Sequence, residues 1–183
     1  MLALILVIVI VVLFIAAGAV VATRQRSRRL HAKYGPEYDR LLEERGSRRE
    51  AERELTAREK RHRSLELRPL DPRARERFTE SWTEVQARFV DAPEEATAQA
   101  QRLVTIVMRE RGYPTEDYDQ ELADLSVEHA TTLDHFRAAH GLSEKAAEGQ
   151  ASTEELRQAL VHYRALFEEL LEAERSPDPQ GHS

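Results

Sequence analysis

The sequence predicts an all-α protein with a single N-terminal transmembrane helix, a charged helical stalk and a small antiparallel four-helix domain. Two observations carry this prediction. An unbroken apolar run at Leu2–Ala22 is followed at once by a basic segment, and apolar residues beyond position 70 recur at helical spacing without two-residue alternation. The predicted segments are a transmembrane helix (2–22), a basic juxtamembrane segment (23–36), a stalk (37–70), a helical bundle (71–173) and a disordered tail (174–183).

The N-terminal run has the length of a membrane span. Its 21 residues would form a helix about 31 Å long, which matches a bilayer core of about 30 Å. No Lys or Arg precedes the run, and it is longer than a signal-peptide core. These features favour an uncleaved anchor, although Ala17-Gly18-Ala19 resembles a cleavage site. Gly18 and Ala22 form a small-xxx-small pair, which leaves dimerisation within the membrane as an alternative.

A basic cluster directly after the run predicts the orientation. Lys and Arg beside a span hold that side in the cytoplasm, so we expect the N-terminus outside and the C-terminal domain in the cytoplasm. The same cluster faces the anionic lipids of the inner leaflet. It acts either as a topology signal alone or also in specific lipid recognition. The predicted membrane-surface residues are Arg24, Arg26, Arg28, Arg29 and Lys33.

Charge is distributed unevenly along the rest of the chain. Residues 24–77 contain 18 basic and 11 acidic side chains, whereas residues 78–183 contain 9 and 22. An acidic distal domain argues against nucleic acid as a partner. The absence of Cys removes any need for an oxidising compartment. The 24 Arg against 3 Lys indicate a high-GC bacterial genome, so we expect the bacterial cell membrane.

Pro36 is expected to end the first helix, because proline lacks an N–H and disfavours helix at the preceding residue. From Glu37 to about Arg68 the chain reads as one polar helix rich in charge pairs at helical spacing, interrupted at Gly46-Ser47. Its apolar residues are too few for a complete stripe. The sequence therefore predicts a solvated stalk, with weak coiled-coil dimerisation as the alternative.

Four helices are predicted for the bundle. Asp71-Pro72 and Asp91-Ala92-Pro93 are start signals for the first two, and Gly112 is a stop signal for the second. The third runs from Tyr113-Pro114 to about His140, with a kink near Leu125 and Gly141 as its end. Ser152 and Glu155 form a capping box that opens the last helix. The expected aromatic core residues are Trp82, Phe89, Phe136, Tyr163 and Phe167, with a ligand pocket as the alternative.

No catalytic or cofactor motif is present in the sequence. The Glu-x-x-His pairs of di-iron bundles, His-Glu-x-x-His, phosphate-binding glycine loops and G-x-S-x-G are all missing. We therefore predict a protein that is not an enzyme and holds no cofactor, with an unrecognised activity as a third alternative. The weak metal candidates are His129, His140 and His162; we expect them to be core or edge histidines that pair with carboxylates such as Asp124 or Glu128.

Four segments of the bundle resemble an uncharacterised bacterial family of small helical, often single-pass membrane proteins. They are Arg111–Pro114, Ser126–Ala130, Arg137–His140 and Thr153–Leu171. The resemblance implies a helical fold and a bacterial origin, and it brings no catalytic residue, cofactor or reaction.

The expected function follows from this organisation. We expect a membrane-anchored cytoplasmic interaction or scaffold module that binds a protein partner. Formation of a homodimer is left open. The alternative is a ligand- or metal-responsive bundle that uses His129 and His140.

Overall fold

The computed structural model describes the backbone of residues 2–172, with the side chains of residues 2–9, 11–13, 16, 19 and 20 outside that description. The described part of the chain is all-helical, which confirms the predicted fold class, and contains no strand. The predicted disordered tail (174–183) lies outside the described residues. The chain divides into two compact units, unit 1 (Met1–Ala57) and unit 2 (Arg58–Ser183).

Eight helices make up the described residues. They are α1 (Leu2–Tyr34), α2 (Pro36–Arg45), α3 (Arg48–His62), α4 (Pro72–Phe89), α5 (Pro93–Glu110), α6 (Tyr118–Leu125), α7 (Leu133–Ala147) and α8 (Thr153–Glu172).

The predicted span and its basic flank belong to a single helix, α1. It ends at Tyr34, where Gly35 adopts a left-handed conformation (φ +49°) and Pro36 begins the next helix. Within the described residues, no helix is long and apolar enough to cross a membrane. Most side chains of the predicted span Leu2–Ala22 lie outside the described residues, so the transmembrane helix stays a prediction.

The segment predicted as one solvated stalk is two helices that bury part of their surface. Gly46 takes a left-handed conformation (φ +63°), and its N–H donates to Leu42 O, which ends α2. The short helices α2 and α3 each bury apolar residues that the stalk prediction left in solvent. Leu41, Ala51 and Leu55 are at most 1 % exposed. The correction has a local cause, because a glycine with positive φ allows a turn that a continuous helix would not make.

Unit 2 is built around a continuous apolar core. Helices α5, α7 and α8 supply most of it, and α4 packs on α5. The rings of Trp82 and Phe167 stack at 4.7 Å between centroids. Of the predicted aromatic core residues, Trp82, Phe136, Tyr163 and Phe167 are buried, and Phe89 packs partly buried against the same cluster. This part of the sequence prediction is confirmed.

Two of the predicted helix starts are confirmed by their capping geometry. Asp71 accepts a hydrogen bond from the backbone N–H of Arg73 at 2.7 Å. At α8, Ser152 Oγ accepts from the N–H of Glu155, and the Glu155 carboxylate accepts from the N–H of Ser152 at 2.8 Å. At α5 the cap residue is Ala92, without a side-chain hydrogen bond, so Asp91 does not cap that helix.

The helix predicted from Tyr113-Pro114 to about His140 is two helices, and the kink predicted near Leu125 is a complete break. A series of turns over residues 126–132 separates α6 from α7, so unit 2 contains five complete helices from α4 onward. The Ser126 hydroxyl donates to Ala123 O at 2.7 Å, a local bond of the kind that competes with helix continuation. Helix α7 then runs through Gly141, the expected stop, to Ala147.

A close backbone approach fixes the segment before α4 against the end of α5. Gly112 has φ +93°, and a Cβ at this position would lie 2.5 Å from Glu66 O. The N–H of Arg68 donates to Arg111 O at 3.0 Å beside this contact. Only glycine satisfies both the backbone conformation and the space at this position.

Candidate functional sites

A basic groove lies in unit 1 between the second half of α1 and the start of α3. Its volume is about 510 Å³, within the roughly 300–1,000 Å³ of small-molecule sites. Four of its six lining residues are arginines. The lining residues are Thr23, Arg26, Arg48, Arg49, Glu52 and Arg53.

Hydrogen bonds between the helices hold this groove in shape. The buried hydroxyl of Tyr38, on α2, lies 3.1 Å from Ser27 Oγ on α1 and donates to Glu52 Oε1 on α3, also at 3.1 Å. On the same face, Arg26 Nη2 donates to Thr56 Oγ1 at 2.6 Å. The single acidic residue of the lining is therefore already engaged by a tyrosine, and one wall of the groove is tied to the other.

Three of the groove arginines present guanidinium groups that have no partner among the described residues. Arg48, Arg49 and Arg53 are exposed. In the part of the chain that the structure describes, their side chains make no hydrogen bond or ion pair. Arginine presents five N–H donors in a planar fork that matches phosphate and carboxylate oxygens. The arrangement is suited to an anion.

The five predicted membrane-surface residues lie along α1, and all are exposed. Arg26 is the one that the fold brings into the groove, together with arginines of α3. The Nζ atom of Lys33 lies 5.3 Å from the centroid of the Tyr34 ring. Sequence reasoning missed Arg48, Arg49 and Arg53, because it placed them on a solvated stalk. The i, i+4 spacing of Arg49 and Arg53 was the available signal that they share a face.

A second polar site, the histidine network of unit 2, is centred on His129. This residue is 2 % exposed, and its Nδ1 donates to Glu169 Oε1 on α8 at 2.7 Å. Its Nε2 lies 3.4 Å from the hydroxyl of Tyr113, which in turn donates to Glu128 at 3.2 Å. His62 Nε2 lies 3.7 Å from the other oxygen of Glu128.

Electrostatics keep the phenol of this network protonated. Burial raises the pKa of Tyr113 well above its usual value, and the Glu128 carboxylate raises it further. The phenol donates its proton to Glu128, and the same oxygen lies beside His129 Nε2. The network therefore places a polar group beside each ring nitrogen of a histidine that the fold removes from water, a structural role for this residue.

Two further buried polar groups of unit 2 are also paired. Asp124 is fully buried and accepts from Arg61 Nε at 3.1 Å. Ser126 Oγ accepts from Arg58 Nη1 at 3.3 Å. The expected pairing of histidines with Asp124 is wrong, since Arg61 occupies that carboxylate. Glu128 reaches His129 only through Tyr113.

The other metal candidates do not join His129. His140 stacks on Tyr118 at 3.8 Å between ring centroids, and its Nε2 lies 3.5 Å from Glu144 on the next turn. His162 lies beside His135, with 2.8 Å between the Nδ1 atoms. Burial and the neighbouring His135 lower the pKa of His162. His129 lies in the turns before α7, whereas His140 lies within that helix.

A metal site needs several donor side chains that the fold brings together. Among the described residues, no group of three or more His, Asp and Glu side chains is arranged to hold a metal ion. Comparison with known proteins adds no assignment: no family model, curated protein or solved structure matches the chain. The resemblance to a bacterial membrane family stays a prediction.

Proposed function

We propose that this chain is a membrane-anchored interaction module, which holds an acidic helical domain at the cytoplasmic face of a bacterial cell membrane. The observation that carries the proposal is the composition of α1, where a 21-residue apolar run and the basic flank follow each other on one helix. An apolar segment of that length crosses a bilayer, and the basic flank stays on the cytoplasmic side.

The charge and packing of the two units support anchoring by unit 1 and partner binding by unit 2. Unit 1 carries the apolar run and the arginine groove, and it contains 10 basic against 7 acidic residues. Unit 2 contains 17 basic against 26 acidic residues and has its own apolar core. An acidic compact domain is repelled by an anionic leaflet, which leaves its surface accessible to a protein partner.

The anchoring is tested by fusing two reporters after Ser183, one active only in the cytoplasm and one only in the periplasm. We expect signal from the cytoplasmic reporter alone, together with recovery of the chain in the membrane fraction after alkaline washing. A matched variant, with Arg24, Arg26, Arg28, Arg29 and Lys33 all replaced by Gln, should weaken this bias. A periplasmic signal from the unaltered chain would overturn the orientation, and recovery in the soluble fraction would overturn the anchor.

The interaction role is tested by proximity labelling with the labelling enzyme fused after Ser183. The matched control carries the same enzyme after Ala57, so that it shares the anchor and lacks unit 2. We expect a reproducible set of proteins labelled by the full chain and not by the control. Identical sets from both fusions would contradict a partner for unit 2.

The alternative function is a ligand- or metal-responsive bundle, predicted to use His129 and His140. Those two residues do not share a site, and the imidazoles that lie side by side are those of His135 and His162. Two imidazoles at this separation offer nitrogen ligands that Zn²⁺ and similar ions accept. Thermal melting of the full chain with and without added Zn²⁺, alongside a His162→Gln variant, separates the two functions. A Zn²⁺-dependent rise in melting temperature that the variant loses would favour the responsive bundle; our proposal expects no such rise.

A further inference from the structure

We infer that the arginine groove of unit 1 is a binding site for the phosphate headgroup of an anionic phospholipid. This inference rests on the proposed membrane anchoring and goes beyond it, since it assigns a discrete site to residues of α3. The groove brings Arg48, Arg49 and Arg53 of α3 next to Arg26 of α1.

The chemistry of the groove selects for a phosphate-bearing anion. Arginine forks bind phosphate oxygens with paired, charge-assisted hydrogen bonds, and several arginines together accommodate a tetrahedral group. Glu52 is the one acidic side chain of the lining, and Tyr38 donates to its carboxylate. With four arginines and one glutamate in its lining, the groove has an excess of positive charge.

The position of the groove along α1 favours a lipid over a soluble phosphate. Thr23 lines the groove and is the first residue after the apolar run that ends at Ala22. Arg26 follows three residues later, so both lie within about 6 Å of the end of the predicted span along the helix axis. This is the depth at which headgroups surround a membrane helix. A phosphate held there belongs to a lipid whose acyl chains lie beside the span.

The groove is also held in shape before any ligand arrives. The buried Ser27–Tyr38–Glu52 hydrogen bonds join α1, α2 and α3, and Thr56 receives a bond from Arg26 while it donates to Glu52 O. A site whose walls are fixed loses less conformational entropy on binding than a flexible basic tail does. Specific retention of one lipid class is expected from such a site, whereas a flexible flank attracts anionic surfaces in general.

The test uses the full chain in detergent micelles, supplied with equal amounts of phosphatidylglycerol and phosphatidylcholine. Lipids retained by the protein are counted by native mass spectrometry. The groove variant carries Arg48→Gln, Arg49→Gln and Arg53→Gln. The matched control removes the same charge from the flank through Arg24→Gln, Arg28→Gln and Arg29→Gln, which lie outside the groove lining.

We expect the unaltered chain to retain phosphatidylglycerol over phosphatidylcholine by at least about fivefold, the effect that a single arginine near an anionic headgroup contributes. The groove variant should fall close to parity, while the flank control should keep most of the preference. Circular dichroism of both variants should match the unaltered chain, because the substituted side chains have no partner in the described structure.

Three outcomes would overturn the site. If both variants lose the preference for phosphatidylglycerol equally, the attraction is a diffuse effect of charge. If the unaltered chain has no preference, the groove does not bind an anionic phospholipid. Release of the lipid by millimolar inorganic phosphate would identify a soluble phosphate as the ligand. Each of these leaves the anchor standing, because the reporter and fractionation results do not depend on lipid retention in detergent. A chain recovered in the soluble fraction, in contrast, would overturn the anchor and the lipid assignment together.

Discussion

The two units of this chain are both helical, but they are stabilised in different ways. Unit 1 joins its helices through a small number of buried side chains and a polar connection, Ser27–Tyr38–Glu52. Unit 2 surrounds a continuous apolar core and places its polar network at one side of it. The difference teaches that charge-rich helices associate through specific hydrogen bonds, whereas amphipathic helices associate through apolar area.

Trp82 allows the two units to be followed separately. It is the single tryptophan of the chain and stacks on Phe167 inside unit 2. Its fluorescence therefore reports the unfolding of unit 2, while far-ultraviolet circular dichroism reports the helices of both units. The predictions below use this pair of signals on the full chain in detergent micelles.

The largest effect is expected from removing one large side chain from the core of unit 2. Phe167→Ala removes a ring that is 2 % exposed and stacked on Trp82, and we expect the free energy of unfolding of unit 2 to fall by about 3–5 kcal/mol. Phe167→Leu, the matched control, should lose clearly less, because it keeps most of the side-chain volume. Equal losses in the two variants, measured by Trp82 fluorescence, would contradict a tightly packed core.

A somewhat smaller effect is expected at the backbone contact of Gly112. Gly112→Ala imposes a positive φ on an L side chain, which costs about 1–3 kcal/mol, and its Cβ would also meet Glu66 O. Gly149→Ala is the control, because Gly149 has φ +69° and nothing within 4 Å of its added Cβ. If both variants melt at the same temperature, the close approach at Glu66 has no role in stability.

The histidine network should respond to loss of its carboxylate. Glu169→Ala leaves the buried His129 Nδ1 without its partner, and we expect a loss of about 1–3 kcal/mol in the unfolding of unit 2. Glu168→Ala removes the neighbouring exposed pair with Arg164 and should cost less than about 1 kcal/mol. A loss in Glu168→Ala as large as that in Glu169→Ala would remove the structural role of the network.

Substituting one tyrosine in each unit compares how much their hydrogen bonds stabilise the two units. Tyr38→Phe removes two hydrogen bonds in unit 1, to Ser27 and Glu52, whereas Tyr163→Phe removes one in unit 2, to Ser143. Each bond contributes about 1 kcal/mol. We expect Tyr38→Phe to lower the helix signal in circular dichroism without moving the Trp82 transition, and Tyr163→Phe to move it slightly. A shift of the Trp82 transition by Tyr38→Phe alone would contradict the separation of the units.

The last effect is absent at neutral pH and develops only in alkaline solution. Burial raises the pKa of Tyr163 from 10.0 to about 12. Because the folded state holds this proton more tightly than the unfolded state, the stabilisation is complete below pH 10.0 and is lost as the pH rises toward about 12. Unit 2 of the unaltered chain should therefore weaken over this range more than the Tyr163→Phe variant. Parallel pH profiles for the two would contradict this prediction.

Local signals in the sequence predicted helix starts well. Asp71 and the Ser152–Glu155 box act through backbone groups two or three residues away, so their geometry follows from the sequence alone. The break at residues 126–132 was predicted in place, as a kink near Leu125, but its extent was underestimated, since a full series of turns separates α6 from α7. Gly141 was overestimated as a stop, since α7 continues through it to Ala147.

In the candidate sites, too, the sequence predicted local features but not the partners that come from distant parts of the chain. The basic flank of α1 was predicted as a membrane surface from neighbouring residues, but the groove needs Arg48, Arg49 and Arg53, more than twenty positions beyond Arg26. His129 was expected to pair with Asp124 or Glu128 close in sequence. Its partner is Glu169 on α8, forty positions away. Such partners depend on helix packing, which no local pattern encodes.

By itself the sequence determined the helical class, the apolar run with its basic flank and the opposite charge of the distal domain, because composition and spacing act over a few residues. The tertiary structure decided which polar groups share a site: the arginines of α1 and α3, and His129 with Tyr113 and Glu169. The physical reason is that burial and hydrogen bonding join side chains that the chain brings together only after its helices have packed.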